Sequence, residues 1–284
     1  MGDLLKKAAS PEVLNASWKR LKSDNTVWAE GISKKEMEKN FVFHITQLAN
    51  ELAAGKYRPS QVRIFSVLKG DGKKRIISAL TLRDKLAQRA VLTVLNPIGE
   101  AMFHHDSYGY RPGRSIDSVM RRVRENLDCG YYWLVDADIK SFFDMIPHHL
   151  LKKKLKTIIP DRELLDLVFK WLDVGAPRTG ILSRRRGIPQ GGVISPFLCN
   201  FYLTGFDNYL TNNNLPFVRF ADDFLVFTPS KKDAVKALAC VKKGLKKLDL
   251  VLNEKKTRIV PSSPRVIFLG QKLPGKKKAG KSKK

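Results

Sequence analysis

The sequence predicts a globular fold of mixed helices and short strands, on three observations. A helix-spaced apolar run fills about residues 82–103. Two pairs of short apolar pieces, within residues 62–77 and 217–227, read as hairpins. A third apolar piece, YWLVDADI at 132–139, reads as a buried strand. At 284 residues and 43% hydrophobic content, the chain can bury a sizeable core, as one large domain or two intimately packed subdomains.

The elements follow in order. Residues up to about 59 read as helical and polar. Ser33 fits an N-cap, Lys34, Lys35 and Glu36 open the first turn, and Phe41, Phe43, Ile45, Leu48 and Leu52 follow until Gly55 and Pro59 stop the helix. RIFSVL and RIISAL then flank KGDGKK, a hairpin with a Gly-Asp-Gly turn. Leu86, Ala90, Val91, Val94 and Leu95 mark the buried face of the next helix. Pro147 and Pro160 bracket a basic helix, LLKKKLKTII, and Asp161 caps RELLDLVFKWLD. Ser195 and Pro196 serve as N-cap and first residue of a helix from Phe197. The end, GKKKAGKSKK, is low-complexity and basic, and is expected to be disordered and to add nonspecific phosphate affinity.

Charge narrows the partners. There are 53 Lys plus Arg against 27 Asp plus Glu, a formal net charge of +26. Such a field attracts polyanions, above all a polyphosphate backbone. A merely soluble, basic-surfaced protein is the alternative. No run approaches the ~18 apolar residues of a membrane span, and the first residues are no signal peptide. Cys129, Cys199 and Cys240 have no paired spacing, which suits a reducing cytoplasm and excludes a zinc knuckle or disulfide framework. Two adjacent histidine pairs, His104-His105 and His148-His149, would point about 100° apart on a helix, so neither is expected to chelate.

Chemistry gathers in three places. In FVRFADDFLVF (217–227) two apolar strands meet at Ala221-Asp222-Asp223. Neighbouring carboxylates repel, and a site that holds them close usually offsets this with a divalent cation. A solvated surface hairpin is the alternative, but its strands would alternate with polar residues and these do not. In LVDADIKSFFDMI (134–146), Asp136 and Asp138 share one face of a strand, with Lys140 the only cation nearby. In RRRGIPQGGVISPFLCNFYL (184–203), Gly187, Gly191 and Gly192 let the backbone bend and approach a ligand ahead of a helix N-terminus.

These pieces, in this order, resemble the reverse transcriptases. DADIKSFFD resembles motif A of that family, GIPQGGVISP motif B, and FADD the motif C tetrapeptide. KGDGKKRIISALTLRDKLAQ and SYGYRPGRS are similar to the fingers motifs of group II intron enzymes, LNEKKTRIV to motif D, and FLG at 268–270 to the primer grip. The resemblance runs from about Leu4 to Gly270. It implies an α+β right-hand polymerase, with a palm of small antiparallel sheet backed by helices and fingers of helices and a hairpin. One reverse transcriptase domain would occupy 1–270, with fingers at about 1–130 and 150–186, palm at about 131–149 and 187–270, and a basic tail at 271–284.

The resemblance implies an RNA-directed DNA polymerase using two Mg²⁺, or Mn²⁺ as a substitute, to add deoxynucleoside triphosphates to a DNA or RNA primer on an RNA template. Asp138 and Asp222 would ligate both ions, Asp223 would assist, and the Ile139 carbonyl would complete the nucleotide-side site. Lys69 and Arg75 would grip the triphosphate. Gln190 and Gly191 would lie against the nucleotide, and Phe143 would gate its sugar. Lys256 would protonate pyrophosphate, and Arg111 and Arg114 would hold template phosphates.

Two departures stand out. Phe220 replaces the usual Tyr of motif C, keeping the ring without the hydroxyl. The chain also stops soon after FLG, so no thumb is expected in it. Another polypeptide would supply the thumb, or the chain is a truncation, and intron splicing by this chain alone is not expected. GIPQGGVISP fits group II intron proteins and the enzymes that accompany CRISPR integrases, which makes such an integrase an implied partner in a prokaryotic cytoplasm. An RNA-binding module descended from such an enzyme is the non-catalytic alternative.

Overall fold

The structure, a computed structural model, describes residues 2–68, 74–175 and 185–275, apart from the side chains of 74–76 and 175. Lys69, the Gly-Asp-Gly turn, Arg184 and the tail from 276 lie outside the described residues. Contacts divide the chain into two units, residues 1–102 with 143–202, and residues 103–142 with 203–284.

The first unit is mainly helical. It holds α1 (Asp3–Ala8), α2 (Pro11–Lys19), α3 (Lys34–Lys39) and α4 (Phe41–Ala53), then the hairpin of β1 (Arg63–Leu68) and β2 (Lys74–Ala79) and the long α5 (Leu82–Met102). The face predicted for α5 is the face that is buried, Leu86, Ala90, Val91, Val94 and Leu95, and α1, α2 and α4 pack against this helix. The single helix expected after Ser33 is two. Ser33 and Glu36 form a reciprocal capping box, but Asn40 leaves helical geometry at φ −117°, ψ 37° and restarts the chain as α4. The restart leaves Val42 and Phe43 exposed while Ile45, Leu48 and Leu52 go inward.

The second unit is built on a four-stranded antiparallel sheet in the order β4-β5-β3-β6. Its strands are β3 (Trp133–Asp138), β4 (Phe217–Phe220), β5 (Asp223–Thr228) and β6 (Arg258–Pro261). On one face α6 (Ile116–Asp128) sets Val119, Met120, Val123 and Leu127 against Leu134, Val218, Leu225 and Phe227. α11 (Lys231–Lys246) also packs against β3, β5 and β6, burying Ala234, Ala237, Val241 and Leu245. A strand covered on both faces reads as an unbroken apolar run, which is why 224–227 lacks alternation. A short ribbon, β7 (Ile267–Phe268) with β8 (Gln271–Lys272), places Phe268 in the same core.

The fold is therefore the expected α+β palm, with the motif A strand beside the motif C hairpin. Residues 103–130 pack with the sheet because α6 covers it, and 143–149 and 187–202 fall in the first unit. α7 (Phe142–Met145) and α10 (Ser195–Asn212) run through the boundary, while α8 (His148–Ile158) and α9 (Arg162–Gly175) belong to the first unit. The Asp161 carboxylate caps α9 as predicted, accepting from Leu164 N at 3.0 Å, and also accepts from Leu5 N at 2.9 Å. Among the described residues no helix is long and apolar enough to cross a membrane.

Candidate active site

The acidic cluster sits at the end of the sheet in the second unit. Asp138 closes β3 and is the register partner of Asp223, the first residue of β5. Phe220 pairs with Asp223, so the hairpin turn is only Ala221-Asp222, and Asp223 belongs to the strand rather than the turn. Ile139 N donates to the Asp222 carbonyl at 3.3 Å, which ties the turn to the end of β3.

The loop before β6 closes the other side. Asn253 N donates to the Asp138 carbonyl at 2.8 Å, and its side-chain Nδ2 donates to Asp138 Oδ2 at 2.9 Å. Lys256 Nζ lies 3.0 Å from the same oxygen, on a side chain that stays 63% exposed. Its ammonium is raised above the usual lysine range, first by the bond to Asp138. Asp223 reaches solvent on one side, yet the protein packed around it, then Asp222 and then Asp138, push its carboxyl up to about 7. Among the described residues, three carboxylates thus face one nearby ammonium. Hard oxygen donors carrying surplus negative charge fit Mg²⁺ or Mn²⁺.

Asp136 has a different role. Its partner is Arg258 of β6, Nε to Oδ2 at 2.8 Å, rather than Lys140. Burial raises its carboxyl and Arg258 opposes that.

In the first unit the glycine turn is laced to neighbouring segments. Ile188 N donates to the Phe143 carbonyl at 2.7 Å, and Gln190 Nε2 donates to Asp144 Oδ1 at 3.0 Å. Ser78 N of β2 donates to the Gln190 carbonyl at 2.7 Å. Gly191 has φ +113°, and a Cβ there would stand 2.6 Å from the Ser78 carbonyl oxygen, so the close approach that demands glycine is to β2 itself. The Ser195 hydroxyl donates to the Pro189 carbonyl at 2.7 Å, and α10 begins at Ser195 itself. Phe143 is half-buried on α7, and Arg75 lies on β2 opposite Val67.

Arg111 and Arg114 both engage the loop that carries them. Arg111 is buried, with Nη1 donating to the carbonyls of His104 at 2.7 Å and Ser107 at 2.6 Å. It braces its own loop. Arg114 is half-buried, donates to the His105 carbonyl and lies over the Tyr108 ring. The His104-His105 expectation changes. The pair lies beyond α5, not on a helix, and the two rings with Asp106 bring possible ligand atoms within 4.8 Å of one another. Asp106 is already paired with Arg122, Nε to Oδ1 at 2.7 Å, and His104 Nδ1 accepts from Asp106 N.

Sequence reasoning missed Asn253, Arg219 and Asp207. Asn253 lies within the quoted LNEKKTRIV, three residues before Lys256, and that was its only signal. Arg219 and Asp207 form a fully buried ion pair behind the acidic turn.

A palm-like sheet carrying paired aspartates at the junction of a strand and a hairpin is the fold of the right-hand polymerases. The chain belongs to the reverse transcriptase family: the model of the reverse transcriptase (RNA-dependent DNA polymerase) matches residues 67–273. It is 32% identical to Protein YkfC of Escherichia coli over 89% of this chain and 77% of that protein. It is 29% identical to the group II intron-encoded protein LtrA of Lactococcus lactis over 88% of this chain, but only 41% of LtrA. Among solved structures, telomerase from Candida albicans shares the fold, with TM-score 0.55 at 14% identity over 84% of this chain and 48% of that one.

Proposed function

We propose that the chain is an RNA-directed DNA polymerase that extends a primer 3′-hydroxyl with deoxynucleotides on an RNA template. The observation that carries this reading is the pairing of Asp138 with Asp223 at the sheet end, with Asp222 in the adjoining turn. Asp138, Asp222, Asp223 and the Ile139 carbonyl would hold two Mg²⁺. When bound, these ions would lower the pKa of the primer hydroxyl and neutralise the triphosphate and the leaving pyrophosphate. Asn253 orients Asp138 from the side. Lys256, charged and largely exposed, donates a proton to the departing pyrophosphate. Arg75 and Lys69 grip the triphosphate, and Gln190, Gly191 and Phe143 contact the incoming nucleotide. The net charge of +26 draws in the template and primer.

Primer extension with deoxynucleotides on RNA and on DNA templates tests the reading. Mg²⁺-dependent extension on RNA is expected. Tight RNA binding without extension would make the chain a binding module instead. The setting we propose is an intron or a CRISPR integrase, with partners to match, and the neighbouring reading frames separate the two.

A further inference from the structure

We propose that Arg219 is a positioning residue: it holds the peptide plane between Ala221 and Asp222, and so fixes where the Asp222 and Asp223 carboxylates stand. This rests on the polymerase reading above.

Arg219 lies in the middle of β4, between the buried Val218 and the ring of Phe220, and is only 1% exposed. Its guanidinium is fully directed. Nε and Nη2 reach Asp207 Oδ1 and Oδ2 at 2.7 and 2.5 Å, Nη2 also reaches Ser107 Oγ at 2.7 Å, and Nη1 donates to the Ala221 carbonyl at 2.9 Å. Asp207, on α10, is completely buried.

Stability alone does not account for such a pair. The desolvation of two charges roughly cancels their attraction, and apolar residues of similar volume often serve as well. What a locked guanidinium adds is direction, a rigid fork aimed at one carbonyl. The turn it meets needs that brace. Ala221 has φ +58°. A two-residue hairpin turn with positive φ at its first central position normally carries glycine there, and a residue with a Cβ holds that geometry only where its surroundings impose it. Residues 106–109 supply a second brace. Arg219 N donates to the Asp106 carbonyl at 2.9 Å, and Tyr108 N to the Arg219 carbonyl at 2.8 Å. Gly109 comes so near that a Cβ on it would stand 2.5 Å from Ala221 N. The turn is thus gripped by a side chain within β4 and by a backbone alongside it, and both grips end on Ala221.

Three variants of the full chain test this. The double variant Arg219→Met with Asp207→Leu removes both charges together. Arg219→Lys keeps a charge opposite Asp207 but cannot reach Asp207, Ser107 and Ala221 at once. Gly109→Ala pushes the turn from outside and leaves the ion pair alone. Mn²⁺ affinity by electron paramagnetic resonance is read beside thermal melting, kcat, and KM for primer–template. The expected result is Mn²⁺ affinity weakened about tenfold and kcat lowered about ten- to a hundredfold, as for residues that orient metal ligands, with KM changed less than about twofold. Excess Mn²⁺ should recover part of kcat. A merely structural pair predicts that Arg219→Lys, once folded, binds Mn²⁺ and turns over like wild type, and that result overturns the proposal whether or not the double variant folds. A wild-type chain that neither binds Mn²⁺ nor extends a primer would instead sink the polymerase reading, and this role with it.

Discussion

Asp138 and Asp223 face each other as register partners at the last rung of the β3–β5 ladder, with Asp222 one residue before. Opposed like charges on neighbouring strands destabilise a sheet unless something offsets them. Lys256 reaches Asp138 Oδ2, and burial together with the neighbouring acids raises the Asp223 carboxyl. The strands therefore hold acids in an arrangement that a divalent cation would relieve.

Asp138→Asn and Asp222→Asn should each lower primer extension by more than about a hundredfold, the scale seen when electrostatic stabilisation is lost at a reacting centre. Binding to a primer–template duplex, measured by fluorescence anisotropy, should stay within a few-fold of wild type. Asp223→Asn should be milder, as the assisting ligand. Near-normal turnover in Asp222→Asn would remove the carboxylates from the chemistry.

Phe143 lies half-buried on α7, five residues after Asp138 along the chain. If its ring gates the sugar, a 2′-hydroxyl collides with it, at about 1–3 kcal/mol, or roughly ten- to a hundredfold in selectivity. Phe143→Ala should then admit ribonucleotides while keeping much of the deoxynucleotide activity. Incorporation of both sugar types, read with melting, decides. A folded variant with unchanged sugar preference would exclude the gate.

Gly191→Ala should destabilise the chain more than Gly113→Ala. Both positions have positive φ, +113° and +70°, but a Cβ at 191 meets the Ser78 carbonyl oxygen at 2.6 Å, whereas nothing lies within 4 Å at 113. Gly113→Ala should cost about 1 kcal/mol for the left-handed backbone alone. Gly191→Ala adds the displacement of β2 and should reach about 2–3 kcal/mol. Denaturant unfolding of the two variants gives the comparison, and equal losses would show that β2 yields freely.

Acid should weaken the contact of Asp24 with Lys85. Burial raises the Asp24 carboxyl, but Lys85 Nζ at 2.7 Å and the Thr26 hydroxyl and backbone N–H outweigh it and hold the group near about 2, below its ordinary 3.8. A depressed carboxylate stabilises the fold above its unfolded value, and that contribution disappears as pH falls through its folded value. The melting difference between wild type and Lys85→Met should therefore be flat above about pH 5 and shrink toward pH 2. A difference that grows on acidification would contradict the assignment.

The chain's local patterns carried a good part of this protein. The buried face of α5, the Ser33 capping box and the Asp161 cap each depend on residues three or four apart, so periodicity reports them. The acidic positions were legible for a similar reason, because Asp222 and Asp223 interrupt an apolar run that only a strand covered on both faces would have. Tertiary structure decided the rest. Asn253 reaches Asp138 from 115 positions away, and Arg219 reaches Ser107 across 112. Arg111 looks like any exposed cation until its loop folds around it, and His104 leaves helical geometry only because α5 ends at Met102. A buried charge takes its meaning from whichever distant group the fold sets against it, since the cost of burying it is met only by that partner, and no local pattern records which one that will be.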